Sequence, residues 1–113
     1  MADWEVAVRA AQSKKAEDIV VLDILAVSSF TDAFVICSGS NQRQVQSIAD
    51  GIETELKAAG VRPIGIEGYS NGGWVLMDYG DFVVHILLPE SRKFYDLERL
   101  WKNAPRIPVP EAA

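Results

Sequence analysis

The chain has 113 residues, 49% of them hydrophobic and 24% charged, which suits one packed domain and is too short for two. Its formal net charge of -5 repels phosphate backbones at long range, so we expect no unaided, sequence-specific contact with nucleic acid and favour a basic protein partner. One cysteine and one histidine exclude an internal disulfide and a Cys/His zinc site.

The amino-terminal stretch and the hydropathy pattern predict a soluble, cytoplasmic protein. No apolar run approaches the roughly 20 residues that span a bilayer. The stretch MADWEVAVRAAQ also lacks the basic and apolar blocks of a secretion signal. We therefore expect no membrane contact.

The first half of the chain predicts a helix, two strands and a second helix. Apolar residues at helical spacing from Trp4 to Ala11 predict the first helix, with Asp3 as its cap. Stretches rich in β-branched residues predict strands at 18–25 and 33–39. The second helix has the most regular apolar stripe and is expected to begin at Asn41, three residues before Gln44, and to end at Gly60. Its members are Val45, Ile48, Ala49, Ile52 and Leu56.

The second half predicts three strands and a final helix. Residues 62–68 predict a short edge strand because they contain Pro63. Residues 72–90 predict a hairpin, and Pro89 suits the first turn of a helix that carries Phe94, Leu97 and Trp101. Three prolines follow, and residues 102–113 are expected to form a flexible tail. The order predicts an α/β fold over 1–101, with a mixed five-stranded sheet packed with helices.

The hairpin is the strongest candidate for a functional surface. A two-residue turn at Tyr79 and Gly80 would place Asp78 opposite Asp81 and Trp74 opposite His85. The alternating residues from Val75 to Leu88 are wholly apolar, so we expect helices to cover that side. The other side mixes large apolar groups with acids and is predicted to face outward as an interface, unless the turn merely leaves both acids solvated. Its members are Trp74, Leu76, Asp78, Asp81, Val83, His85 and Leu87.

Catalysis is the weaker hypothesis. The sequence contains no G-x-S-x-G motif, and Cys37 lies in an apolar strand, so we expect no catalytic residue, metal or cofactor. The stretch CSGSNQRQV could cradle a phosphate, but Glu67 is the only acid on the next strand, so we interpret the turn around Ser40 as cap chemistry. The alternatives are a nucleotide-binding or nucleotidyl-transferring enzyme that uses Ser40 and nearby acids, or a homodimeric scaffold.

Four stretches resemble the ribosomal silencing factor family, also called Iojap: KKAEDIVVLD, SSFTDAFVICSGSNQRQVQSIAD, IGIEGYSNGGWVLMDYGDFVVHI and ESRKFYDLERLW. The resemblance runs from about Lys14 to Trp101 and leaves the proline-rich tail outside it. It implies a nucleotidyltransferase-like fold without transferase activity, in a single ribosome-binding domain.

The resemblance also implies a function. A member of this family binds the large ribosomal subunit through the large-subunit protein L-fourteen and sterically blocks joining of the small subunit, which represses translation when nutrients are scarce. Together with the hairpin pattern, it predicts a set of partner-binding residues: Trp74, Leu76, Asp78, Tyr79, Asp81, Val83, His85, Tyr95 and Leu97.

Overall fold

The computed structural model describes residues 1–111, which form one six-stranded sheet with helices on both sides. The strands lie in the spatial order β3-β4-β5-β2-β1-β6, and within the described residues only β2 and β5 pair in parallel. The mixed α/β sheet confirms the predicted fold class, with one strand more than expected. The elements are α1 (Asp3–Ser13), β1 (Glu17–Asp23), β2 (Ala33–Ser38), α2 (Gln42–Ala58), β3 (Gly65–Glu67), β4 (Trp74–Asp78), β5 (Phe82–Leu87), α3 (Pro89–Tyr95), α4 (Leu97–Leu100) and β6 (Arg106–Ile107).

The two long helices pack on one side of the sheet, here called the first face. The apolar stripe of α2 is fully buried there, as its helical spacing predicts. The Asn41 side chain caps α2 by accepting a 2.8 Å hydrogen bond from the Gln44 backbone N–H. Asp3 does not cap α1 as predicted, because Ala2 occupies the cap position and donates its own N–H to Glu5 Oε1 at 2.9 Å.

The opposite side, here called the second face, carries another apolar cluster. Val83 and Leu87 of β5 are only 3% and 1% exposed, and His85 between them is 4% exposed. Leu97 and Trp101 pack against this cluster from outside the sheet. The prediction that this side of the hairpin faces outward is therefore wrong at its centre, because the residues after β5 fold back over it.

A break in the predicted final helix makes this cover possible. Pro89 begins α3 as expected, but Asp96 adopts a left-handed conformation with φ 47° and ends it. The chain then restarts as α4. Leu97 and Trp101 lie on the second face, whereas Phe94 remains 81% exposed. One continuous helix would have placed all three on a common stripe.

The segment after α4 is ordered over its described part. Its strand β6 pairs antiparallel with β1, joining Arg106 to Leu22 and Ile107 to Val21. Ile107 and Val109 also pack against the core of the first face. The structure therefore differs from the predicted flexible tail where β6 and Val109 pack on the rest of the chain, and residues 112–113 lie outside the described residues. Elsewhere β1 ends two residues earlier than predicted, and β3 is the short edge strand that was expected.

Candidate docking surface

The β4–β5 hairpin is paired two residues away from the predicted register. Trp74 lies opposite Leu87, Leu76 opposite His85, and Asp78 opposite Val83. The turn is centred on Gly80 and Asp81, not on Tyr79 and Gly80. A shift of two residues changes the partners but leaves every side chain on its predicted face, because side chains alternate with a period of two.

The tip of the hairpin is held rigidly. Gly80 has φ 84°, a conformation that glycine adopts without strain, and its N–H donates to Asp78 Oδ1 at 2.8 Å. Thr31 Oγ1 donates to the Gly80 carbonyl at 2.8 Å, and the Asp32 N–H donates to the Asp81 carbonyl at 2.9 Å. Asp81 is exposed and Asp78 is partly exposed, so the tip presents two carboxylates to solvent.

An aromatic surface begins at β4, near the edge of the sheet. Trp74 and Leu76 are half-buried, because α3 and α4 cover the second face only in part. The Tyr95 ring lies 4.7 Å from that of Trp74, and the Phe94 ring meets Tyr95 edge-on at 5.0 Å. Tyr95 is 51% exposed and Phe94 81%. We call Trp74, Leu76, Asp78, Asp81, Phe94 and Tyr95 the docking surface.

Phe94 was missed by the sequence reasoning, which placed it on the apolar stripe of a continuous helix. The helix breaks at Asp96, and the sequence does not indicate this break, because a non-glycine residue in the left-handed region has no strong sequence marker. Exposed aromatic side chains on a hairpin whose tip carries two acids, in a chain of net charge -5, suit a basic protein partner.

Three of the predicted partner-binding residues are buried instead, and a fourth, Leu97, is half-buried on the second face. Val83 and His85 are buried under it, and Leu97 packs against the same cluster. Tyr79 belongs to the first face, where it is 8% exposed and stacks on Phe82 at 4.9 Å. Burial, with a smaller effect from Glu53, raises the pKa of Tyr79 to about 12. Tyr79, Val83 and His85 are therefore too buried to contact a partner, whereas Leu97 is half-buried like Trp74 and Leu76.

His85 has the geometry of a supporting residue. The Trp74 indole N–H donates to His85 Nδ1 at 3.2 Å. Burial lowers the pKa of His85 to about 4, so the imidazole is neutral near pH 7. A neutral imidazole whose Nδ1 is occupied by an indole is poorly placed to accept a proton from a substrate.

The remaining chemical candidates have structural roles. Both the N–H and the hydroxyl of Ser40 donate to Gln44 Oε1 at 2.7 Å, so this turn serves the start of α2. Glu67 lies on β3, which β4 and β5 separate from the strand that leads into Ser40. Burial raises the pKa of the Cys37 thiol to about 12, although Arg92 opposes it, and the thiol is therefore unreactive near pH 7.

Residues 1–111 contain no helix long and apolar enough to cross a membrane. Over the same range, no three His, Cys, Asp or Glu side chains are grouped in a way that could hold a metal ion.

Comparison with known proteins matches residues 2–113 to the family described as ribosomal silencing factor during starvation. The match includes α1 and the segment after α4, so the similarity extends beyond the stretch from Lys14 to Trp101. The chain is 40% identical over 103 residues to the ribosomal silencing factor RsfS of Halalkalibacterium halodurans, covering 91% of this chain and 88% of that protein.

Two other relatives extend the comparison. The chain is 32% identical over 102 residues to the mouse protein named mitochondrial assembly of ribosomal large subunit protein 1, covering 88% of this chain and 45% of that one. It also superposes on the crystal structure of a Chromobacterium violaceum protein with a TM-score of 0.86 at 37% identity, covering 100% of this chain and 97% of the other.

Proposed function

The chain belongs to the ribosomal silencing factor family, and we propose that it binds the large ribosomal subunit and sterically blocks joining of the small subunit. Its direct partner is the large-subunit protein L-fourteen, and its action lowers translation when nutrients are limiting. The family description, which names starvation, and the mouse relative's name, which refers to the large ribosomal subunit, support this proposal. The site of action is then the cytoplasm, where ribosomes assemble, and no enzymatic step is required.

The observation that carries the proposal is the exposure of Phe94 and Tyr95 beside Trp74 at the edge of the second face. Large aromatic side chains in this state lose water-exposed apolar area when a partner covers them. Asp78 and Asp81 lie at the tip of the same hairpin, at the other end of β4 from Trp74, so a partner surface that combines an apolar recess with a separate lysine or arginine group is complementary in charge.

Phe94→Ala tests the proposal without disturbing the core, since the side chain is 81% exposed. Loss of an aromatic anchor should weaken large-subunit binding roughly tenfold or more. Leu25→Ala is the matched control, because Leu25 is 60% exposed in the turn after β1 and lies outside the docking surface. Binding is measured by co-sedimentation with purified bacterial large subunits, and the partner by pull-down with isolated L-fourteen.

Inhibition should follow binding. Light scattering of recombined subunits should show that Phe94→Ala loses its block of subunit joining to the same extent as it loses affinity, while Leu25→Ala matches the parent. A Phe94→Ala protein that still sediments and inhibits like the parent would show that this surface is not the docking site. A parent that self-associates but does not sediment with large subunits would favour the homodimeric scaffold.

A further inference from the structure

The indole of Trp74 is held from two directions. Tyr95 lies against it at 4.7 Å between ring centroids, and His85 lies 5.9 Å away with its Nδ1 accepting the indole N–H at 3.2 Å. Trp74 is half-buried, whereas His85 is 4% exposed. The docking surface is therefore tied to the interior through one hydrogen bond.

The imidazole itself has little freedom. His85 lies on β5, between Leu76 of β4 and Ile36 of β2 in the sheet register. The Phe34 ring contacts it edge-on at 4.6 Å. Neighbouring strands and an aromatic ring thus fix the position of Nδ1, and through it the direction of the indole N–H.

The hydrogen bond also fixes the tautomer of His85. An indole N–H can only donate, so Nδ1 must carry its lone pair and the proton of the neutral ring resides on Nε2. That Nε2 is fully buried and has no hydrogen-bond partner among the described residues. An unpaired buried N–H destabilises the fold, and an apolar side chain would avoid this cost. The hydrogen bond that Nδ1 accepts from Trp74 explains why an imidazole occupies this position despite that cost.

We propose that His85 is a positioning residue for the docking surface, whose Nδ1 orients the Trp74 indole for its partner. The proposal rests on the proposed function, since it assigns His85 a role in that same contact. Because an oriented side chain loses less conformational freedom on binding than a mobile one, the hydrogen bond contributes to affinity without touching the partner.

Two substitutions separate the acceptor from the shape of the ring. In His85→Asn, an oxygen bonded to Cγ takes the place of Nδ1. The amide NH2 replaces the buried Nε2 N–H and brings two donors, so urea unfolding first confirms that this variant folds. His85→Leu fills similar apolar volume without an acceptor, and His85→Met serves the same purpose if the leucine variant does not fold.

The first measurement is made on the free protein. NMR follows hydrogen exchange of the Trp74 indole N–H, whose signal is assigned by its absence in Trp74→Phe. Exchange should be about as slow in His85→Asn as in the parent and roughly tenfold faster in His85→Leu, the size expected for one lost hydrogen bond. Equal exchange in all three proteins would overturn the proposal.

The second measurement is large-subunit binding by co-sedimentation. His85→Leu should bind roughly tenfold more weakly than the parent, with His85→Asn close to the parent. In a Trp74→Phe background His85→Leu should have no further effect, because phenylalanine has no N–H to orient. An equal loss in that background, or a loss in His85→Asn as large as in His85→Leu, would refute positioning. A parent that does not bind would refute the proposed function, while the exchange comparison would still decide the role of His85.

Discussion

Leu87→Ala should destabilise the protein as strongly as Ile86→Ala, although these neighbours on β5 point to opposite faces of the sheet. Leu87 is 1% exposed in the cluster of the second face, and Ile86 is 0% exposed in the core of the first. Each substitution removes three carbon atoms. Leu100→Ala removes the same number from a side chain that is 74% exposed and is the matched surface control.

The expected magnitude follows from the buried carbon atoms. Burial of one methylene contributes about 0.8 kcal/mol, so the three atoms account for about 2.4 kcal/mol of transfer free energy. The cavity left behind adds to this, and buried Leu or Ile to Ala changes cost about 2–5 kcal/mol. We expect a loss of about 3 kcal/mol for both buried positions and less than about 0.5 kcal/mol for Leu100→Ala.

Urea unfolding, followed by circular dichroism and tryptophan fluorescence, gives the free energy of unfolding of each variant. The slope of this free energy against urea should be the same for all of them, so that differences in midpoint report stability alone. If Leu87→Ala matched Leu100→Ala while Ile86→Ala lost several kcal/mol, the second face would be open to solvent and its assignment as core would be wrong.

Charge, the carboxyl-terminal strand and the buried imidazole each provide another test. Asp78→Asn combined with Asp81→Asn keeps the side-chain oxygen that accepts from Gly80 but removes both charges, so large-subunit binding should weaken at low salt and approach that of the parent at high salt. Equal co-sedimentation at low salt would contradict the electrostatic contribution. Deletion of residues 104–113 removes β6 and its partly buried side chains and should lower the free energy of unfolding in urea by about 2 kcal/mol, whereas an unchanged midpoint would show that the strand adds nothing. The pKa of His85 is about 4 in the folded protein, whereas its ordinary value is 6.5. Between these two values the unfolded chain binds the proton more readily than the folded protein does. The free energy of unfolding therefore falls as the pH drops through that window. Between pH 7 and pH 5 the parent should therefore lose about 2 kcal/mol more than His85→Asn in urea unfolding, and parallel losses would contradict the burial of a neutral imidazole.

The sequence predicts the elements well wherever one periodicity dominates. The apolar stripe of α2 and the β-branched stretches of β1 and β2 lie where their patterns indicate. The two faces of the hairpin were also separated correctly. Its register was wrong because Gly80 suits either position of a two-residue turn, and composition alone does not choose between Tyr79 and Asp81 as its companion.

Which face of the hairpin is covered could not be read from the hairpin itself. That outcome depends on α3 and α4, and on the left-handed Asp96 that directs Leu97 and Trp101 onto the sheet. The candidate site changed accordingly. Val83 and His85 are buried beneath the second face, Leu97 is half-buried on it, and Phe94 is exposed beside Tyr95.

The pairing of β6 with β1 could not be predicted from the sequence for a related reason. Prolines at three positions favour an extended, unpaired chain, yet Pro105 and Pro108 flank the two residues that pair with β1. An edge strand tolerates proline, because the missing N–H can lie on the side away from its neighbour. The apolar contacts of Ile107 and Val109 with the core then fix the segment in place.

The pairing of β6 with β1 also bears on how the polypeptide folds as it is synthesised. Val21 can pair with β6 only after Ile107 has been synthesised, so this edge of the sheet depends on a contact between distant parts of the chain. Contacts of long sequence separation slow folding, and a nascent chain that waits for them exposes an unpaired strand. Until β6 emerges, β1 is open to pairing with other nascent chains. Late completion of this edge thus makes the newly synthesised protein more prone to aggregation than the finished fold.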